Sequence, residues 1–135
     1  MTQSRPFHAL VVPATLLTII AAANLPVPPA HAHHGWAWAM AEQSTLEGTV
    51  AEVSMAPPHP SLKVKDAAGT VWLIDLANPA QTERSGFTAQ SAKPGDTIVI
   101  IGNRNRDETQ KHMKAVRITV AGKTYDIYPG RIRTN

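Results

Sequence analysis

From Thr45 onward the chain alternates apolar and polar positions in short runs, the period of strands that bury one face. In Thr45–Met55, Leu46, Gly48 and Val50 share one parity while Val53 and Met55 share the other. A parity switch inside one strand predicts a β-bulge near Ala51–Glu52. Ala56-Pro57-Pro58-His59-Pro60 follows as a stiff loop, because proline cannot donate to a ladder. Ser61–Lys65 reads as a strand with Leu62 and Val64 inward and both lysines outward. Asp66-Ala67-Ala68-Gly69 turns the chain, and Thr70–Leu76 returns with Trp72, Ile74 and Leu76 on one face.

The period then changes. Asn78-Pro79-Ala80-Gln81 has the marks of a helix start, with an N-cap side chain, proline in the first turn and Gln three residues after the cap. Gly86 is its natural stop. Lys93-Pro94-Gly95-Asp96 turns into Thr97–Gly102, where Ile98-Val99-Ile100-Ile101 implies burial on both faces. Asn103–Lys111 is a long polar loop, and Lys114–Val120 with Lys123–Tyr128 forms a closing hairpin through Ala121-Gly122. Three strands, a short helix and two or three further strands predict an all-β domain of the OB-fold type, a five- to six-stranded small barrel. A small open sandwich is the structural rival.

The segment before this body has a different character. Ala9–Ala23 is an apolar run of 15 residues, shorter than the about 20 that span a bilayer. Leu25-Pro26-Val27-Pro28-Pro29 breaks any helix after it, and Ala30-His31-Ala32 has the small-residue spacing of a signal-peptidase site. The expected organisation is a cleaved signal peptide over 1–32, a His/Trp arm over 33–44, the barrel over 45–128 and a tail over 129–135. The expected compartment is the periplasm or the exterior, with no stable membrane span after cleavage. Trp36, Trp38 and Met40 alternate along the arm, which suits an extended segment on the domain surface, and the two tryptophans read as a hydrophobic clamp.

Charge narrows the partners only slightly. The chain carries 13 Lys and Arg against 10 Asp and Glu, and the basic residues of the long loop are interleaved with Asp107 and Glu108. Nucleic-acid binding is not expected, since it calls for a clustered basic face. There is no cysteine, which excludes disulfides, thiolate metal sites and cysteine nucleophiles. No serine sits in a glycine-flanked elbow, and phosphate-binding glycine fingerprints are absent, so an enzyme is not expected.

The pattern His33-His34-Gly35-Trp36, then Thr45-Leu46-Glu47-Gly48-Thr49-Val50, Pro58-His59, Asn78-Pro79 and Lys93-Pro94-Gly95-Asp96, resembles a family of small secreted bacterial proteins. They are grouped only as a domain of unknown function (family 6152). The similarity covers about residues 30–128. Members usually carry Asn-Pro-His followed by an aromatic, where this chain has Pro57-Pro58-His59-Pro60. The resemblance implies a periplasmic OB-like domain and no defined activity.

The candidate chemistry is metal binding. Cleavage after Ala32 would leave His33 to chelate through its α-amino and ring nitrogens, with His34 adding an imidazole. His59 in the first barrel loop and His112 at the end of the fourth-to-fifth-strand loop would complete the set if both loops open at one end of the barrel. Nitrogen-rich, thiol-free sites favour Cu(II), and the thioethers of Met55 and Met113 are weaker candidates suited to Cu(I). Copper sequestration or delivery is therefore one expected function. Oxidase-type use of such a copper finds no substrate groove legible in the sequence. The alternative is a metal-free interaction domain that takes an envelope protein or a small ligand, in which His112 is only a solvated strand-edge residue and Met113 is core.

Overall fold

The computed structural model describes residues 35–133. Six strands follow one another as β1 (Ser44–Ser54), β2 (Ser61–Lys65), β3 (Val71–Asp75), β4 (Thr97–Arg104), β5 (His112–Val120) and β6 (Lys123–Asp126). Helix α1 (Pro79–Arg84) lies between β3 and β4.

β1 is long enough to serve two neighbours, pairing through Ser44–Thr49 with β4 and through Thr49–Ser54 with β2. It can bend between them because its register shifts between Val50 and Glu52, the bulge expected from the parity switch. The Lys93–Asp96 turn braces that bend: Val50 N donates to Asp96 O and Gly95 N donates to Val50 O. β2 pairs antiparallel with β3, and β4 with β5. The ring closes where β3 and β5 run parallel, Leu73 beside His112, Ile74 beside Met113 and Asp75 beside Lys114. The circuit β1-β2-β3-β5-β4-β1 with a helix between β3 and β4 is the OB-fold barrel, and β6 adds a sixth strand on β5.

The core is the inward parity of each strand. Leu46, Val50, Leu62, Val64, Ile74, Ile98, Ile100, Met113 and Ile118 are buried together, with Val53 and Met55 packed against them from beyond the bulge. α1 starts as expected, Asn78 Oδ1 accepting from Gln81 N at 2.9 Å, and Gly86 leaves it at φ 84°. Phe87, just after it, is fully buried and meets Tyr125 edge to face at 5.2 Å.

Three expectations change. The Ile98–Ile101 run is not buried on both faces; Ile98 and Ile100 are fully buried while Val99 and Ile101 are half-buried. β5 begins at His112 rather than Lys114, because the parallel ladder to β3 recruits the two residues before it. β6 stops at Asp126, since Tyr128 N turns back to Val116 O and Pro129–Arg131 forms a 3-10 turn.

Two glycines allow close approach elsewhere in the ring, of β1 to β2 and of β4 to β5. A Cβ on Gly48 would meet Lys65 O and Val64 Cγ1, and one on Gly102 would meet the Lys114 carbonyl and Met113 Cγ. Gly102→Ala is expected to lose about 1–3 kcal/mol in urea unfolding, because backbone rather than a flexible side chain would have to give. Gly130→Ala, with open space around it, should stay within about 0.5 kcal/mol of the parent.

Candidate functional site

The arm folds onto the outside of the β3–β5 seam. Gly35–Trp38 does not run extended as its alternation suggested; it turns, with Ala39 N donating to Trp36 O at 3.1 Å, and only then bridges to the end of β4. Ala39 pairs with Asn105, Met40 N donates to Arg104 O at 2.8 Å and Arg106 N donates to Trp38 O at 3.0 Å. Asn103 fastens the next stretch, its Nδ2 placed among the carbonyls of Met40, Ala41 and Glu42 at 3.0–3.3 Å. The turn is what lets both tryptophans face the barrel.

Outward parity on the seam belongs to Leu73 and Asp75 of β3 and to His112 and Lys114 of β5. The tryptophans cover the last three. Trp38 stacks on the His112 ring with centroids 4.1 Å apart and planes 9° apart, and His112 Nε2 lies 2.9 Å from Asp75 Oδ2. Trp36 meets Tyr128 edge to face at 4.9 Å, and the Lys114 ammonium lies 5.1 Å from the Trp36 ring while donating to Gly35 O at 3.2 Å. Burial pushes the Lys114 ammonium below its ordinary range; Asp75 opposes this and Arg131 adds to it. The same burial raises the Tyr128 phenol.

The predicted metal residues are spread across this frame. His33 and His34 lie outside the described residues. His59 is exposed in the Ala56–Pro60 loop, which contains a cis Pro57–Pro58 bond. His112 is half-buried in β5 and engaged with Asp75 and Trp38. Met113 is fully buried core and Met55 packs against that core. The two loops do not open at one end of β3, as the sequence reading assumed. Leu76 N donates to Pro60 O whereas Leu73 N donates to Lys111 O, so the first loop meets the end of β3 and the other loop its middle. Three strand residues, about 10 Å, and two strand spacings, roughly 10 Å, therefore separate Pro60 from His112. Among the described residues no group of three His, Asp or Glu side chains is placed to hold a metal ion. Nor is any described helix long and apolar enough to cross a membrane.

The family model that fits this chain matches residues 21–114, from before the arm to β5. The chain belongs to the family of unknown function DUF6152. No curated protein matches this DUF6152 chain. Among solved structures it is similar to a chain of the Stn1–Ten1 complex of S. pombe, at 18% identity and TM-score 0.47, over 60% of this chain and 59% of that one. It is also similar to the ZRD-deleted mutant of TiaS in complex with agmatine (15%, TM-score 0.49, 68% of this chain, 28% of that one). A third is Rim1, a mitochondrial single-stranded DNA binding protein of S. cerevisiae (13%, TM-score 0.44, 59% and 94%). The DUF6152 chain thus spans less than two thirds of the length of the first two.

Sequence reasoning missed Asp75, Lys114, Tyr128 and Arg131 as members of the seam. The legible signal was a lysine in the middle of an otherwise apolar strand, Met113-Lys114-Ala115-Val116. Lys114 also sets a pH dependence. Between its lowered native value and the ordinary 10.5, the unfolded chain keeps a proton that the folded chain has released, so its contribution to stability rises with pH. Below about pH 9 the Tyr128 phenol is neutral in both states and does not interfere. Unfolding free energy relative to Lys114→Met is expected to increase as the pH rises toward 10.5, with a limiting slope of about 1.4 kcal/mol per pH unit. A flat difference would mean that the ammonium is as well solvated as in the open chain.

Proposed function

We propose that this DUF6152 domain is an exported, non-enzymatic binding module of the cell envelope, released from its signal peptide after Ala32, that holds an extended polypeptide partner against the outer face of β2 and β3. The observation that carries this reading is the pair Val71 and Leu73. They are 50% and 40% exposed, are the large apolar side chains left open among the described residues, and point to the same side of β3. Their cross-strand neighbours are Lys65 and Lys63; Lys63 is paired with Glu52 at 2.6 Å, and the Lys111 ammonium donates to Glu108 O at 3.0 Å. An apolar strip with mixed charge at its rim suits a segment led by aliphatic residues, with a carboxylate beside Lys65. Fold-level analogy agrees, since the β2–β3 face is the usual ligand surface of OB barrels.

A photo-crosslinking residue at position 73 of the exported protein tests this, with position 124 on β6 as control. One polypeptide captured from 73 and not from 124 is expected, with capture reduced about tenfold by Val71→Asp while stability stays within about 0.5 kcal/mol. Equal capture from both positions, or none from 73, contradicts the reading.

The copper reading stands second, favoured by the placement of Gly35. Its carbonyl is held by Lys114, which fixes the residue that follows His34 in the sequence, and His59 is exposed. An amine and imidazoles form a donor set suited to Cu(II). Titration of Cu(II) into the processed protein separates the two readings. One equivalent bound with nitrogen hyperfine structure, lost in His33→Ala, favours copper; no binding leaves the polypeptide partner.

A further inference from the structure

The two ends of the described chain meet beside the arm in a way that neither function uses. Gln43 joins them with both atoms of its amide, Nε2 donating to Arg131 O at 2.6 Å and Oε1 accepting from Arg133 N at 3.3 Å. Arg106 stands across from this junction, its Nε donating to Ala39 O at 2.9 Å. Between these walls lies a cavity of about 380 Å³, within the size range of small-molecule sites.

Its lining is one-sided in charge. Arg106, Arg131 and Arg133 all contribute and no Asp or Glu does. Among the described residues none of the three forms an ion pair, in contrast to Arg117, which Asp126 neutralises at 2.5 Å. Arg131 is oriented by the Trp36 ring, with Cζ 4.1 Å from the ring centroid, an arrangement that leaves the edge of the guanidinium for in-plane acceptors. The Nε bond to Ala39 likewise leaves the terminal nitrogens of Arg106 available. Two forks and a third guanidinium around one void suit carboxylates or phosphates held bidentately.

Asn103 closes the floor of the cavity. Its Nδ2 is held by the three arm carbonyls and its Oδ1 is buried away from the void, so the amide supports the arm wall and the guanidinium groups supply the charge that a ligand would meet.

We propose that this cavity binds a small organic oxyanion with at least two negative charges, a polycarboxylate by chemical class. The three arginines hold its carboxylates. The site is distinct from the β2–β3 face, and its argument uses no histidine, so it stands whether or not either functional reading holds.

Isothermal titration calorimetry on the intact processed protein at low salt tests it with four probes: citrate, tricarballylate, inorganic phosphate and acetate. Citrate is expected to bind one to one and to weaken as salt rises. Tricarballylate, which keeps the three carboxylates, should bind within about threefold of citrate, and acetate, with one, should give no measurable heat. Arg133→Ala and Arg131→Lys should each weaken citrate about tenfold without moving the melting temperature, while Thr124→Ala should change nothing. Absence of citrate binding, or citrate binding unchanged in both arginine variants, overturns the site. Acetate as tight as citrate, or phosphate tighter than either polycarboxylate, overturns the ligand class.

Discussion

The parallel contact of Leu73–Asp75 with His112–Lys114 spans three residue pairs, and it closes the barrel. Every other ladder is antiparallel. Those between chain neighbours β1–β2, β2–β3 and β5–β6 need only short turns. This one joins residues 39 apart in sequence, a separation exceeded only by β1–β4, and it rests on three pairs against six there, so it returns the fewest pairs for the chain entropy of its closure. A short seam with that cost needs support from outside, and the arm supplies it. Trp38 lies flat on His112, His112 reaches across the seam to Asp75, and Asn103 and Arg106 tie the arm's carbonyls to the end of β4. The arm therefore belongs to the structural unit and acts as a strap over its weakest ladder.

That strap also explains the electrostatics. Lys114 has outward parity in β5 and would be solvated on a bare barrel; beneath Trp36 and Tyr128 it is buried and its charge becomes expensive. The Gly35 carbonyl, two aromatic faces and nearby Asp75 offset part of that cost. Arg131 also lies over the Trp36 ring, its Cζ 4.1 Å from the centroid, and brings a second cation close. Cations thus gather where the arm and the C-terminal turn meet, while the acidic groups are spent elsewhere: Asp75 on His112, Asp126 on Arg117, Asp66 on the Trp72 indole. The positive cavity follows from this division of partners.

Much of the fold was legible because it obeys short-range rules. The β1 bulge showed as a parity switch, α1 as an Asn-Pro-x-Gln start, and β2 came out with its observed bounds. What was not legible depends on contacts between distant segments. Nothing in Lys111-His112-Met113 announces a parallel partner 39 residues earlier, so His112 read as a loop-end ligand or a solvated edge. Nothing in the Trp/Ala-rich arm announces the turn at Trp36–Ala39, which inverts the extended reading. The arginine cavity draws on residues near 43, 106 and 131, and no local pattern could have gathered them. The placement of His59 and His112 at different levels of β3 had the same origin: loop order was readable, ladder level was not.

The claim that the arm secures the seam is tested most directly by native-state hydrogen exchange on the processed protein and on Trp38→Ala. The amides to follow are Met40 and Arg106, which fasten the arm, and Leu73, which bonds to Lys111 O at the seam. In the parent all three should be protected. In Trp38→Ala they should lose protection together, by about tenfold or more, while Leu62 and Val64 in the β2–β3 pair keep theirs. A Leu73 amide that stays protected while Met40 and Arg106 open would contradict the account, because the barrel would then close without its strap.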